Sequence, residues 1–419
     1  MSHRLEPLER RTLFASPVTY TLVELDFQPQ DLNNTDQIVG RDLHQIRRGG
    51  RLTTMPLPTL DPANNPGGVK LNDDGIIIGS EGRILPTDDS VGQAVILGPD
   101  ATGQYQSRYL FDGTTPDDSQ ANLFCVINNR GQIITSGDGD TFFDEPIHEA
   151  VLGQVGARGR LSITPINSLR LPGETLAVNR VADLNNLGQL VTSNPETDPA
   201  VQIDNFAVLR RGHLYLTPAS TLSGDTGSQS QQLASLNDSG QIVGDTAATL
   251  TDSPAATLYQ LSARGRYYRT FLAALPGDDA AAATQINNVG QILGYSYSTP
   301  GSGPILDMTA TITQRRRNGR YGATQDLNAL IPDPGKDRVT RPIAINDGGL
   351  ILAEGVSTSN GSQRFLLLIP SRANRLPTSP IAAAAMTSPL PGLPTMPLAA
   401  TRATSFAKDD QVRSDDDLW

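Results

Sequence analysis

The sequence predicts an all-β fold: a seven-bladed β-propeller with four-stranded blades, closed by pairing between its N- and C-terminal strands. A nine-residue phrase, close to Leu-Asn-Asn-x-Gly-Gln-Ile-Val-Gly, occurs seven times between residues 32 and 353. Successive copies are 39, 56, 57, 52, 50 and 59 residues apart, a period typical of repeat architectures. A second turn-containing segment follows the phrases, and no stretch has sustained helical periodicity, so short strands are expected throughout.

The first half of the phrase predicts a tight hairpin turn. Asparagine suits the first position of a type I turn, and the glycine three residues later reaches the left-handed conformation without a Cβ clash. In the first copy Asp36 takes the place of this glycine, and aspartate tolerates that conformation better than most residues. We interpret the phrase asparagines as turn formers, because seven equal copies serve architecture, whereas chemistry usually needs one asymmetric site. They are Asn33, Asn72, Asn128, Asn185, Asn237, Asn287 and Asn346.

The second half of the phrase predicts a buried strand, because it is a short run of mostly β-branched residues. Each run ends in a small residue, which indicates close approach of another backbone, and we place this approach between packed blades. These small residues are Gly40, Gly79, Thr135, Thr192, Gly244, Gly294 and Ala353.

A second hairpin follows the phrase in each unit. It is clearest at 256–274, where two strands flank a Ser-Ala-Arg-Gly turn, and the same shape recurs at 93–110, 206–217 and 309–325. Each unit therefore contains four strands of about five or six residues, as a propeller blade does. The first interval is short because Gly40 leads almost directly into the next strand, without a long loop.

The chain ends predict how the array closes. The last unit supplies three good strands, at 344–346, 350–355 and 364–369, while 18–26 is a lone strand before the first phrase. We expect this lone strand to complete the seventh blade and to remove the exposed edges of an open array. The alternative, a fourth strand at 374–379, is disfavoured by its prolines.

Composition separates the chain into a propeller at 17–372, an N-terminal segment at 1–16 and an acidic tail rich in Pro, Ala and Thr at 373–419, which we interpret as disordered.

A net charge of −11 disfavours nucleic acids and anionic membranes as partners. No apolar run is long enough to predict a transmembrane helix. Cys125 is the only cysteine, so an intrachain disulfide is excluded and a small buried apolar role is favoured.

Two resemblances concern localisation. The phrase resembles the HAF-type repeat of bacterial proteins, which implies an extracellular location and a propeller-like fold but no reaction, and it recurs through most of 17–372. Residues 5–16 resemble the LEPR-XLL motif of bacterial surface proteins, with Leu13-Phe14 where the motif has two leucines. No plain secretory signal is visible, because polar residues and a proline interrupt 12–25. An extracellular or cell-surface location therefore rests on the resemblances.

The loops of a propeller fall on two faces, which indicates where a site would be. The phrase turns share one face, and the longer connections share the other, which we call the long-loop face and expect to carry the binding site. Its acids include Asp138, Asp140 and Asp144, whose oxygens suit calcium, although a full twelve-residue ligand loop is absent. A calcium site is one hypothesis, and a solvated acidic loop is the alternative.

Catalytic motifs are absent from the sequence. The four histidines, at 3, 44, 148 and 213, do not pair at metal-ligand spacing, and no nucleophile elbow, phosphate loop or zinc-protease motif occurs. We therefore expect a non-catalytic binding or structural module, with polysaccharide or a surface protein as its partner. The alternative is a propeller-fold polysaccharide hydrolase or lyase that uses loop acids. Such an enzyme would concentrate acids at the central mouth of the long-loop face.

Overall fold

The computed structural model describes residues 18–371 apart from 59–66, 85–89, 101, 111–123, 137–149, 156–160, 173–177, 179, 196–201, 211, 219–229, 248–252, 263–266, 299–307 and 317. The predicted N-terminal segment and the C-terminal tail lie outside this part of the chain. The described residues form a seven-bladed β-propeller of four-stranded antiparallel blades, which confirms the predicted fold. Their only helical elements are 3₁₀ turns at Arg48–Gly50, Ile166–Leu169 and Asn328–Leu330.

The strands follow the chain blade by blade. Strand β1 (Tyr20–Leu25) precedes the first blade. Blades 1 to 3 consist of β2 (Asp31–Leu32), β3 (Gln37–Val39), β4 (Leu43–Ile46), β5 (Leu52–Met55), β6 (Gly67–Leu71), β7 (Ile77–Ile84), β8 (Ser90–Pro99), β9 (Tyr105–Tyr109), β10 (Phe124–Ile127), β11 (Gln132–Ser136), β12 (Val151–Val155) and β13 (Leu161–Pro165).

Blades 4 to 6 have the same order of four strands. They consist of β14 (Arg180–Leu184), β15 (Gln189–Pro195), β16 (Gln202–Arg210), β17 (His213–Pro218), β18 (Ser230–Leu236), β19 (Ile242–Ala247), β20 (Ala255–Leu261), β21 (Tyr267–Phe271), β22 (Ala280–Ile286), β23 (Ile292–Tyr297), β24 (Thr309–Thr313) and β25 (Gln325–Asp326). The first strands of successive blades contact one another around the axis, so they are the innermost strands.

Blade 7 closes the propeller with both ends of the chain. It consists of β26 (Asp337–Ile345), β27 (Ile351–Ser357), β28 (Gln363–Pro370) and β1. Strand β1 pairs antiparallel with β28, from Tyr20 opposite Pro370 to Leu25 opposite Phe365. The predicted closure is therefore confirmed, and the edge of β28 is covered.

The phrase turns have the predicted geometry. The six turn glycines have φ between 69° and 86°, and Asp36 has φ 62°. Asp36 is the one residue other than glycine with positive φ in the described part of the chain. The phrase turn joins the first and second strands of every blade, so all seven turns lie on one face, around the axis.

The two adjacent apolar residues of each phrase pack into different interfaces, one with the preceding blade and one with the following blade. Side chains alternate along a strand, so adjacent residues point in opposite directions. In blade 5, Ile242 packs with Val191 and Phe206 of blade 4, whereas Val243 packs with Ile286 of blade 6. Among the described residues, the core consists of seven such apolar clusters, one at each interface between blades. This explains why the phrase strand is a continuous apolar run rather than an alternating one.

The small residue that ends the phrase has a different role from the one predicted. A Cβ added at Gly244 would meet the carbonyl oxygen of Gln232, and one added at Gly294 would meet that of Ala282. Both carbonyls belong to the first strand of the same blade, next to a β-bulge in the pairing. The interpretation as close packing between blades was therefore wrong here: the approach lies within the blade.

Candidate functional site

The phrase asparagines form a closed ring around the propeller axis. The Nδ2 of each donates to the backbone oxygen of its counterpart in the next blade at 2.9–3.2 Å, and Asn346 closes the ring onto Asn33 at 3.1 Å. The Oδ1 of each accepts the backbone N–H four residues later, within its own turn. The turn-forming role is confirmed, and the bond between blades is a second role that the sequence did not reveal.

The next residue of each phrase forms a second closed ring. Its backbone N–H donates to the side-chain oxygen of the corresponding residue in the next blade at 2.7–2.8 Å. No two aspartates are adjacent, and asparagine amides donate to their carboxylates, as Asn129 does to Asp73 at 2.7 Å. In circular order the members are Asn34, Asp73, Asn129, Asn186, Asp238, Asn288 and Asp347.

These rings line a polar cavity of about 170 Å³ on the axis. Burial raises the pKa of Asp347; hydrogen bonds from Asn288 oppose the shift, while the charges of Asp73 and Asp238 add to it. The carboxylates accept hydrogen bonds from asparagine amides of the same ring. The polar groups that line this cavity therefore hold neighbouring blades together. Its near-sevenfold regularity is what a scaffold requires.

Beneath the rings, acids on the innermost strands repeat the same linking pattern. Asp31 accepts the N–H of Leu71 at 2.9 Å and lies 3.7 Å from the Lys70 ammonium. Asp183 accepts the hydroxyl of Ser235 at 2.8 Å, and it also bonds the next backbone N–H of that strand. Each acid therefore joins its blade to the following one. Burial raises the pKa of Asp31, and the nearby Lys70 ammonium opposes this shift.

The blades differ from one another at the position after the small phrase residue, on the second strand or just beyond its end. Blades 5, 6, 7 and 1, which are consecutive around the axis, carry an ionisable side chain at this position, whereas blades 2 to 4 carry serine. From blade 1 to blade 7 the residues are Arg41, Ser80, Ser136, Ser193, Asp245, Tyr295 and Glu354. Burial raises the pKa of Asp245 to about 6. Glu354 pairs with Arg341 of β26 at 3.8 Å.

A groove of about 530 Å³ separates the outer parts of blades 5 and 6. Tyr268 and Phe271 of β21 line it, and their side chains are 47% and 56% exposed. The hydroxyl of Tyr268 donates to Gln260 at 3.2 Å. The guanidinium of Arg269 lies 4.5 Å from the centre of the Phe271 ring. The groove therefore combines exposed aromatic rings with hydrogen-bonding groups.

The predicted calcium ligands Asp138, Asp140 and Asp144 fall within 137–149, outside the described residues. Elsewhere in the chain, no group of three or more His, Cys, Asp or Glu side chains is placed to hold a metal ion, as far as the described residues extend. No helix in this part of the chain is long and apolar enough to span a membrane.

Cys125 and His44, which the sequence analysis also considered, are both buried packing residues. Cys125 is buried on β10, and burial raises the pKa of its thiol to about 12, which confirms the apolar role. His44 is buried, stacks on Phe27 with ring centres 3.6 Å apart and lies 3.0 Å from the Thr54 hydroxyl. Burial lowers the pKa of His44, and the charges of Asp42 and Asp26 oppose this shift.

Comparison with known proteins adds similar folds but no family. No family model and no curated protein match the chain. Among solved structures it is similar to Trypanosoma rangeli sialidase in complex with sialic acid (10% identity, TM-score 0.36), over 84% of this chain and 58% of that one. It is also similar to an ancestral GH74 enzyme (11%, 0.49, over 86% and 49%) and to the soluble aldose sugar dehydrogenase of Escherichia coli (11%, 0.37, over 84% and 100%). The chain thus spans about half the length of the first two.

Proposed function

We propose that this propeller is an extracellular or surface-displayed module that binds polysaccharide without catalysing a reaction. The groove between blades 5 and 6 carries the proposal. Its volume lies in the range of ligand sites, which typically combine aromatic walls with a few polar groups. The faces of Tyr268 and Phe271 suit the apolar faces of sugar rings, and Gln260, Thr324 and Arg320 suit sugar hydroxyls.

The lining of the groove supports binding rather than hydrolysis. Glycosidases usually need two carboxyl groups on either side of the bond that they cleave. Among the described residues that line the groove there is no aspartate, glutamate or histidine. The surface location is proposed from the resemblance of the phrase to HAF-type repeats and of residues 5–16 to the LEPR-XLL motif.

A retention assay on polysaccharides tests this function. The purified full chain is passed over cellulose, xylan, chitin, pectin and alginate, and both retention and released reducing or unsaturated ends are measured. We expect retention on at least one polymer without products. Tyr268→Ala and Phe271→Ala should each weaken it about tenfold, as loss of an aromatic contact does.

The matched control is Tyr215→Ala, which removes a tyrosine 43% exposed on β17 of blade 4. Its retention should equal that of the parent chain. Product release would favour the hydrolase or lyase alternative. Equal retention of the two groove variants and the parent would contradict the groove as the binding site.

Calcium at Asp138, Asp140 and Asp144 is a separate proposal. It rests on the oxygen ligands in the segment. Added calcium should raise the melting temperature, because a ligand that binds only the folded state stabilises it. Asp138→Ala combined with Asp140→Ala should remove the increase. A parent chain whose melting temperature does not respond to calcium would end the hypothesis.

A further inference from the structure

The turn between the third and fourth strands of blade 6 places three arginines at the groove between blades 5 and 6. Arg320 lines the groove itself. The side chain of Arg316 lies beside Gly322, another lining residue, because a Cβ added there would be 3.4 Å from the Arg316 Nε. The Nε of Arg315 donates to the backbone oxygen of Gly319, a third lining residue, at 3.4 Å. All three side chains therefore lie in or next to the groove.

Arg316 and Arg320 stand opposite each other across this turn. Arg315 and Tyr321 form an antiparallel bridge, so the next opposed pair is Arg316 with Arg320, and the Arg316 N–H donates to the Arg320 oxygen at 2.7 Å. Directly opposed residues project from the same side of a hairpin, and like charges at such positions repel each other. Both side chains are exposed. An anion bound between them would relieve this repulsion.

No acidic side chain balances these charges among the residues that the structure describes. None of the three arginines forms an ion pair with a described acid, and the described lining residues carry no carboxyl group. The turn itself does not require arginine, because the corresponding turns of blades 2 and 7, at 100–104 and 358–362, contain none. The net charge of −11 does not cancel the local charge, since salt screens exposed charges more than about 8 Å apart at physiological ionic strength.

We propose that this groove selects polysaccharides whose sugars carry carboxylates, with Arg316 and Arg320 binding the carboxylates and Tyr268 and Phe271 contacting the sugar rings. A planar guanidinium donates two parallel hydrogen bonds to a carboxylate, and these charge-assisted bonds are stronger than bonds to neutral hydroxyls. A polymer of uronic acids presents a carboxylate on every ring, beside the apolar ring face that suits an aromatic side chain. The inference rests on the glycan-binding function proposed above and adds the charge of the glycan to it.

Titration calorimetry on the full chain tests the proposal with galacturonate and mannuronate hexamers, each compared with its methyl ester. The esters keep the rings and linkages but lose the charge. At least one acid hexamer should bind about tenfold more tightly than its ester, and the difference should shrink as salt is added. Arg316→Gln combined with Arg320→Gln should bring the acid to the affinity of its ester. The control Arg130→Gln removes an exposed arginine from the phrase turn of blade 3 and should preserve the difference.

Hexaglutamate separates this proposal from the glycan-binding function and from an acidic protein partner. It carries a carboxylate on every residue but no sugar ring, so it should bind about tenfold more weakly than the better acid hexamer. If neither acid hexamer binds more tightly than its ester, or if the double variant still prefers the acid, the charge selection is wrong even where polysaccharides are retained. If hexaglutamate binds as tightly as the better acid hexamer and the double variant loses it, the arginines recognise an acidic chain and the uronate is wrong. If hexaglutamate binds and no polysaccharide is retained, the glycan-binding function fails as well.

Discussion

At the scale of single residues, the side chain of the phrase asparagine makes several hydrogen bonds at once, as Asn237 shows. Asn237 accepts two N–H groups of its own turn at 3.0 Å and donates to the Gln241 side chain at 2.9 Å. It also donates to the backbone oxygen of Asn287 in the next blade at 3.0 Å. One residue therefore fixes both the shape of a turn and the contact between two blades.

Replacing this residue should cost more than replacing an ordinary turn asparagine. Asn237→Ala leaves buried backbone groups unsatisfied, and we expect the free energy of unfolding to fall by about 2–4 kcal/mol. The control is Asn318→Ala, an exposed turn residue with one local hydrogen bond, from the Arg320 N–H at 3.0 Å. Its effect should stay below about 1 kcal/mol. Chemical denaturation compares the two, and equal losses would contradict a special role for the ring.

The carboxyl of Asp245 should give the stability of the protein a distinct pH dependence. Burial raises its pKa from 3.8 to about 6, so the folded state favours the protonated form. The stabilisation from protonated Asp245 is complete below pH 3.8 and is lost as the pH rises through about 6, a loss on the order of 3 kcal/mol. The neighbouring Tyr295 and Tyr297 ionise well above this interval, because burial raises their pKa values above the ordinary tyrosine value.

Asp245→Asn should therefore raise the melting temperature at pH 7 and flatten its dependence on pH between the two values. Asp333→Asn, at an exposed site, should leave the profile unchanged. Thermal unfolding across this pH range measures both. An Asp245→Asn profile parallel to that of the parent would show that the carboxyl is not held in its protonated form.

The sequence predicted what the phrase residues do within their own turn, but it did not predict the hydrogen bonds that they form between blades. The turn residues were predictable, since Asn237 and Gly240 lie within one five-residue segment. The ring was not, because six of its hydrogen bonds join residues 39 to 59 positions apart along the chain, and the bond that closes it joins residues 313 positions apart. The difference between blades at the position after the small phrase residue, which includes Asp245, becomes visible only when corresponding positions of successive blades are compared in circular order.

At the scale of strands, the sequence of the second strand of each blade is constrained by three contacts: with the preceding blade, with the following blade and with the first strand of its own blade. Its paired apolar residues are buried in two interfaces, and its terminal small residue meets the first strand. Strand β19 shows all three constraints, with Ile242, Val243 and Gly244 in succession. The sequence pattern predicted the buried strand correctly. It misplaced the close approach, because a β-bulge in the pairing partner leaves no mark in a single copy of the phrase.

Gly244→Ala tests the approach within the blade. The added Cβ would fall on the carbonyl of Gln232, so the backbone must shift, and we expect a loss of about 2–4 kcal/mol. Gly322→Ala is the matched control, because its Cβ would come no closer than 3.4 Å to a flexible arginine side chain. It should change stability by less than about 1 kcal/mol. A tolerated Gly244→Ala would contradict the bulge as the reason for the small residue.

At the scale of the whole molecule, closure makes each blade depend on two neighbours. The two hydrogen-bonded rings and the seven apolar clusters are continuous only if blade 7 is complete. The count of strands in the last unit predicted β1 as its missing member, because an unpaired edge is unfavourable. The groove between blades 5 and 6 could not be predicted in this way, since it depends on how two blades are spaced.

Removing β1 should therefore affect the entire propeller. Strand β1 buries Tyr20 and Leu25 in two different interblade clusters and covers β28 along its length. Deleting residues 1–26 exposes these clusters and the edge of β28, at a cost of about 5 kcal/mol or more, which approaches the whole stability of many domains. We expect one cooperative loss of structure, measured by circular dichroism and thermal unfolding, whereas deletion of residues 1–16 should leave the melting temperature unchanged. If the longer deletion melted like the parent chain, blades would be independent units, and the stability of the propeller would not depend on closure.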